Sequence, residues 1–142
     1  EFDLEKATWT IPAPRTKMRR EHRKPLPDAA VEIIRDLQQL TGNRPLVFPS
    51  VSSPKRPISE NTLNASLHRM GFTKEEMTSH GFRATASTLL NESGKWNPDA
   101  SEAELGHVGA DEVRRAYHRA AYWEERVKMA DWWAGQISHM LE

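Results

Sequence analysis

Apolar residues recur along this chain at two different spacings, and the change between them predicts its architecture. In "ATWTIP" apolar and polar positions alternate as in a half-buried strand, and Pro12 stops the run. A short return strand near His22 to Leu26 would complete an antiparallel hairpin. From Asp28, a suitable N-cap, the spacing turns helical through Ala30, Ile33, Ile34 and Leu37 and ends by Gly42. "RPLVFPSVSSPKRP" reads as extended chain punctuated by proline. A helix from about Ser59 to Met70 would turn Leu63 and Leu67 inward, and "HGFRATASTLLNE" would set Phe82, Ala86, Leu89 and Leu90 toward a core. Further helices are expected after Asn97-Pro98, after Asp111, and over roughly Trp123 to His139. There is no repeat and no low-complexity linker. The pattern predicts one α+β domain, predominantly α-helical, with a small antiparallel β-sheet near the N-terminus.

Composition narrows the chemistry. The 142 residues suffice for one domain with a sizeable core. Without cysteine the chain has neither a disulfide framework nor a thiolate metal site. No apolar run approaches the roughly 20 residues that span a bilayer, and no leader opens the chain, so a cytoplasmic protein without membrane contact is expected. The formal charge is zero, but it is unevenly spread. Residues 1–71 hold twelve Lys and Arg against eight Asp and Glu, and residues 72–142 hold eight against twelve. Six of the cations, Arg15, Lys17, Arg19, Arg20, Arg23 and Lys24, fall within ten residues of the expected hairpin. Such a cluster suits phosphate contacts with nucleic acid, and Arg114 and Arg115 are further candidates.

Two motifs bear on catalysis. His80 and Arg83 would lie three apart in the first turn of a helix, where the positive dipole end suits an anion and a guanidinium can hold two phosphate oxygens. A capping histidine with a surface arginine fits that spacing equally well. In "ELGHVGADEVRRAYHRA", Gly106 can close one helix and Asp111 can cap the next, leaving His107 at the junction. Tyr117 shares a stripe with Val113, Ala116 and Ala120, as a core aromatic would, yet Arg114, Arg115, His118 and Arg119 surround it. Nearby cations favour a phenolate. Spacing alone leaves both roles open for Tyr117. His22, His68, His118 and His139 are expected at the surface, and no ligand spacing for a metal and no P-loop occur.

These residues, taken with "TKMRREHRKPL", "VFPS", "LGH" and "AYHRAAYWEERVKMADWWA", resemble the tyrosine recombinases, specifically the integrases of satellite phages and prophage islands. The resemblance runs along nearly the whole chain. It implies a recombinase catalytic core with Tyr117 as nucleophile, Arg83 and His107 on the reacting phosphate, and Lys17 as general acid. His80 would orient a phosphate oxygen or help move the tyrosine proton, and Tyr122 becomes structural. It implies no cofactor and no metal, because exchanging one phosphate ester for another conserves the bond energy. Implied partners are double-stranded DNA at attachment sites and other integrase protomers on that DNA. The apolar stripe Met129, Trp133, Ile137 and Met140 would serve the chain's own core or such a protomer. The family's first catalytic arginine should precede Glu1, so residues 1–142 are expected to be the C-terminal part of a catalytic domain, nearly inactive alone. Other readings are a DNA-binding module without chemistry, a type IB topoisomerase, and a metal hydrolase.

Overall fold

The computed structural model describes residues 1–42, 44–106 and 122–141. Their backbone gathers into two compact units, Glu1–Val31 with Ser87–Glu142, and Glu32–Ala86. As the alternation predicts, the first unit opens on an antiparallel sheet of order β1 (Phe2–Asp3), β2 (Thr8–Ile11), β3 (His22–Pro25). Trp9 faces Lys24 and Ile11 faces His22 in the expected hairpin. The Leu26 amide extends the pairing with a bond to the Ala7 carbonyl at 2.8 Å. β1 was not foreseen: two residues are too few for an alternation to register, although Phe2 stacks on Trp9 with centroids 5.2 Å apart. Proline at the end of β3 is tolerated because β3 is an outer strand, where the missing N–H costs no ladder bond.

The five α-helices among the described residues are α1 (Asp28–Thr41), α2 (Thr62–Arg69), α3 (Ser79–Glu92), α4 (Pro98–Leu105) and α5 (Trp123–Met140). Asp28 is not the N-cap of α1. The Pro27 carbonyl accepts the first helical bonds, from Ala30 and Val31, which puts Asp28 inside the first turn. There its charge suits the dipole. α4 has the cap expected of Asn97-Pro98: the Asn97 side chain accepts the Asp99 amide at 2.9 Å. Gly106 closes α4 with φ of 72°, a left-handed conformation that glycine adopts without strain.

The core of the first unit joins Leu90 of α3, Ala100 of α4 and Met129 of α5, with Trp96, Tyr122 and Trp132 packed around them. Trp96 meets Trp132 edge to face at 6.0 Å. Phe82, expected beside Leu90, is instead 55% exposed. Eight residues carry an ideal helix about 80° beyond whole turns, so the two side chains leave in different directions. Likewise the C-terminal stripe beds only Met129 fully, while Ile137 and Met140 stand exposed.

In the second unit β4 (Pro49–Ser50) pairs with β5 (Ser53–Pro57) across an irregular register, so the proline-rich stretch closes into a small hairpin. Leu63 is exposed, and so is Ile33, contrary to their helical spacing. On α2 the half-buried positions are Thr62, Asn64, Ala65 and Ser66 beside buried Leu67, small or polar residues that a hydrophobic pattern does not mark. α2 begins at Thr62 rather than Ser59, and ends in a Schellman pair: Gly71 N–H to His68 and Phe72 N–H to Leu67.

Met129 is 1% exposed at the centre of the first unit's core. Met129→Ala is expected to lower stability by about 2–5 kcal/mol in urea unfolding. A loss under about 1 kcal/mol would show that the three helices do not depend on this contact.

Candidate active site

The basic segment between β2 and β3 is a turn of defined shape. A single 3₁₀ turn, Ala13–Arg15, follows Pro12, and the chain then reverses at Thr16 to Arg19, where the Arg19 amide bonds the Thr16 carbonyl at 3.0 Å. Arg19 takes a φ of 52° there. Lys17 and Met18 occupy the exposed middle of the turn. The six cations do not act alike. Arg15 binds the Glu1 carboxylate at 2.6 Å, and Arg23 lies over the Trp123 ring at 4.2 Å. Lys24 turns to Glu104 at 3.1 Å. Lys17, Arg19 and Arg20 remain at the tip, the first two exposed and Arg20 half-buried.

Below the tip lies a partly buried ion cluster that the sequence did not reveal. Glu104 of α4 receives the Arg126 guanidinium at 2.8 Å as well as Lys24. Arg126 also donates to the Arg23 carbonyl of β3, and its side chain is only 5% exposed. His22 completes the group, with Nε2 3.3 Å from the Glu104 carbonyl. Expected at the surface, His22 is half-buried beside Gly106 because β3 runs along the end of α4. Burial pushes its pKa below the ordinary value, and Lys24 and Arg126 push the same way against Glu104. A second tie joins α4 and α5, from the Asn97 amide to the Glu125 carboxylate at 2.7 Å. Both ends of α4 are therefore bonded to adjacent residues of α5. No pattern of local spacing signals pairs so distant in the chain.

His80 and Arg83 lie in the first turn and a half of α3, both exposed, as the spacing predicts. The helix terminus is less open than expected. The Ser79 amide donates to the Asn64 side chain at 2.8 Å and the Gly81 amide to the Thr78 hydroxyl at 3.1 Å. An anion here would rely on the two side chains more than on free backbone groups.

The structure thus brings His80 and Arg83 onto one helix terminus in one unit and sets Lys17 at a hairpin tip in the other. His107, Arg114, Arg115 and Tyr117 lie outside the described residues, as do His118, Arg119 and the helix expected after Asp111. Tyr122 packs against the core, consistent with a structural role. Among the described residues no group of three or more His, Asp or Glu could hold a metal ion. None of the described helices is long and apolar enough to cross a membrane.

The phage integrase family model matches residues 1–124. The chain is 46% identical over 137 residues to prophage integrase IntA of Escherichia coli strain K12, covering 96% of this chain and 33% of that protein. It is 40% identical over 151 residues to the integrase of Enterobacteria phage P4, covering 96% and 34%. The integrase of Shigella phage Sf6 is 35% identical over 142 residues, covering 98% and 36%. The chain spans about a third of the length of these curated relatives. No solved structure matches.

Two outcomes are expected of the ion cluster. Glu104→Gln leaves Arg126 and Lys24 without their carboxylate and should destabilise the chain by about 3–5 kcal/mol, whereas Glu104→Gln with Arg126→Met should recover most of that loss. Urea unfolding of the two variants checks this. The second outcome concerns pH. The folded state lowers the His22 pKa from its ordinary 6.5. Stability from the neutral imidazole is therefore full above that value and is lost as pH falls through the lower folded value. Between about pH 7 and pH 5.5 the melting temperature of His22→Gln should fall less than that of the parent chain.

Proposed function

The chain belongs to the phage integrase family, and on that premise we propose that it is the C-terminal part of the catalytic domain of a tyrosine-type site-specific DNA recombinase. The observation that carries the proposal is the family match over residues 1–124, which takes in Lys17, His80, Arg83, His107 and Tyr117 together. Identity to named integrases of phages and prophages supports integration or excision of a prophage or genomic island in the bacterial cytoplasm. The substrate is then double-stranded DNA at attachment sites, with further protomers assembled on it.

In this mechanism the Tyr117 oxygen attacks a backbone phosphorus. The bond from phosphorus to the 5′-oxygen breaks, leaving a 3′-phosphotyrosyl enzyme and a free 5′-hydroxyl. Negative charge grows on the non-bridging oxygens as the phosphorus becomes five-coordinate. Arg83 and His107, with a further arginine from outside residues 1–142, neutralise it, and donors fixed in advance favour that state over the substrate. Lys17 protonates the departing 5′-oxygen. His80 orients a phosphate oxygen or takes part in moving the tyrosine proton. Religation runs the same steps backward, so no nucleotide is consumed. Lys17, Arg19 and Arg20 at the hairpin tip supply non-specific phosphate contacts, with Arg114 and Arg115 as further contacts.

A nicked duplex that traps the covalent intermediate tests this reading in the full-length protein. Tyr117→Phe is expected to abolish the 3′-phosphotyrosyl adduct, and Arg83→Ala to slow its formation by about 10²-fold or more. Adduct formation undiminished in Tyr117→Phe would overturn the assignment. DNA binding with no adduct from the parent protein would leave a binding module instead.

A further inference from the structure

The basic turn is organised around one hydroxyl. Thr16 Oγ1 accepts the Arg20 amide at 2.9 Å, and the same oxygen stands 2.6 Å from the Arg20 carbonyl and 3.1 Å from that of Ala13. A hydroxyl has one proton to give, and the shorter contact takes it. A single side chain therefore holds both the N–H and the C=O of Arg20. The bond from the Arg19 amide to the Thr16 carbonyl, 3.0 Å, closes the turn inside this clamp. Arg19 sits in the left-handed region at φ 52°, where a residue with a side chain persists only if its surroundings impose it. Lys17, next to Thr16, is carried on the turn so formed, and Met18 beside it is exposed.

We propose that Thr16 is a positioning residue: its hydroxyl fixes the turn from which Lys17 delivers a proton to the departing 5′-oxygen. The inference rests on the reading of Lys17 as general acid. An acid must come within hydrogen-bond reach of the atom it protonates, about 2.6–3.2 Å. A lysine has a long stem with many rotamers, and a moving backbone adds to the disorder that reaction must overcome. The clamp removes the backbone share of that disorder. During cleavage Tyr117 forms the new bond to phosphorus and its proton passes to solvent, directly or by way of His80. The electron pair of the broken bond stays on the 5′-oxygen, which takes its proton from the Lys17 ammonium.

Sulfur in place of the bridging 5′-oxygen separates positioning from mere support, because a thiolate leaves without protonation. Single-turnover cleavage by the full-length protein is measured on two duplexes differing in that atom alone. Thr16→Val keeps the β-branched shape that suits the extended Thr16 backbone and deletes the hydroxyl. It should cleave the oxygen substrate about tenfold more slowly, a fraction of the 10²–10⁴ that a placed acid contributes, and the sulfur substrate within about twofold of the parent. Thr16→Ser, which restores the hydroxyl, should match the parent on both. Thermal melting verifies the fold of each variant, and Thr16→Ala repeats the comparison if valine disturbs it. Equal slowing on both substrates makes Thr16 structural only, and no slowing on either makes the clamp irrelevant; each result overturns the inference. Lys17→Ala is the control for the underlying reading. If sulfur restores Lys17→Ala but makes no difference to Thr16→Val, the acid stands and the clamp fails. If sulfur does not restore Lys17→Ala, the acid assignment falls and the inference with it.

Discussion

One carboxylate organises the first unit. Glu104 draws Arg126 from the last helix and Lys24 from the sheet to the end of α4. Each charge is largely withdrawn from water, and the loss is offset only while the others hold their places. The guanidinium also satisfies the Arg23 carbonyl and lies 5.5 Å from the Trp123 centroid, which the Arg23 guanidinium approaches at 4.2 Å. Sheet, short helix and long helix are thereby fixed at one point by directional bonds. The apolar contacts of Leu90, Ala100 and Met129 supply burial, but burial alone does not choose one orientation.

The arrangement has a chemical meaning for the proposed reaction. Residue 107 follows Gly106, the cap of the helix that Glu104 anchors, and Tyr122 lies four residues before Arg126. The stretch assigned the nucleophile and a phosphate-binding histidine therefore leaves and rejoins the described fold beside one ion pair. Phosphoryl transfer asks a protein for placed charge more than for covalent chemistry.

Elements whose cause is local were legible in the sequence. The hairpin around Trp9 follows from alternation and two prolines, α4 from Asn97-Pro98 and Gly106, and α5 from a long helical stripe. His80 and Arg83 took their expected places because three residues on a helix are neighbours wherever the helix packs. What depends on distant residues was not legible. Glu104 and Arg126 are two charges among many until the fold brings them together. The ion pair of Lys24 with Glu104 was hidden for the same reason, and His22 read as a surface residue. Phe82 shows the limit of periodicity, since a stripe drifts over eight residues while packing need not follow it. Thr16 is intermediate: a threonine before a turn is a known local signal, but its hold on both polar groups of Arg20 emerges only from the geometry.

Arg19 sets two design aims at odds. Its left-handed backbone is one that glycine would adopt freely and arginine adopts under strain of about 1–2 kcal/mol. Optimising the chain for thermal robustness would favour glycine at position 19. That exchange would remove a guanidinium from the part of the turn that meets DNA in the proposed mechanism, and it would let the turn wander in the unbound protein. A library screened for stability alone and one screened for recombination should therefore diverge at this position, and the most stable sequence of this fold need not be its most active one.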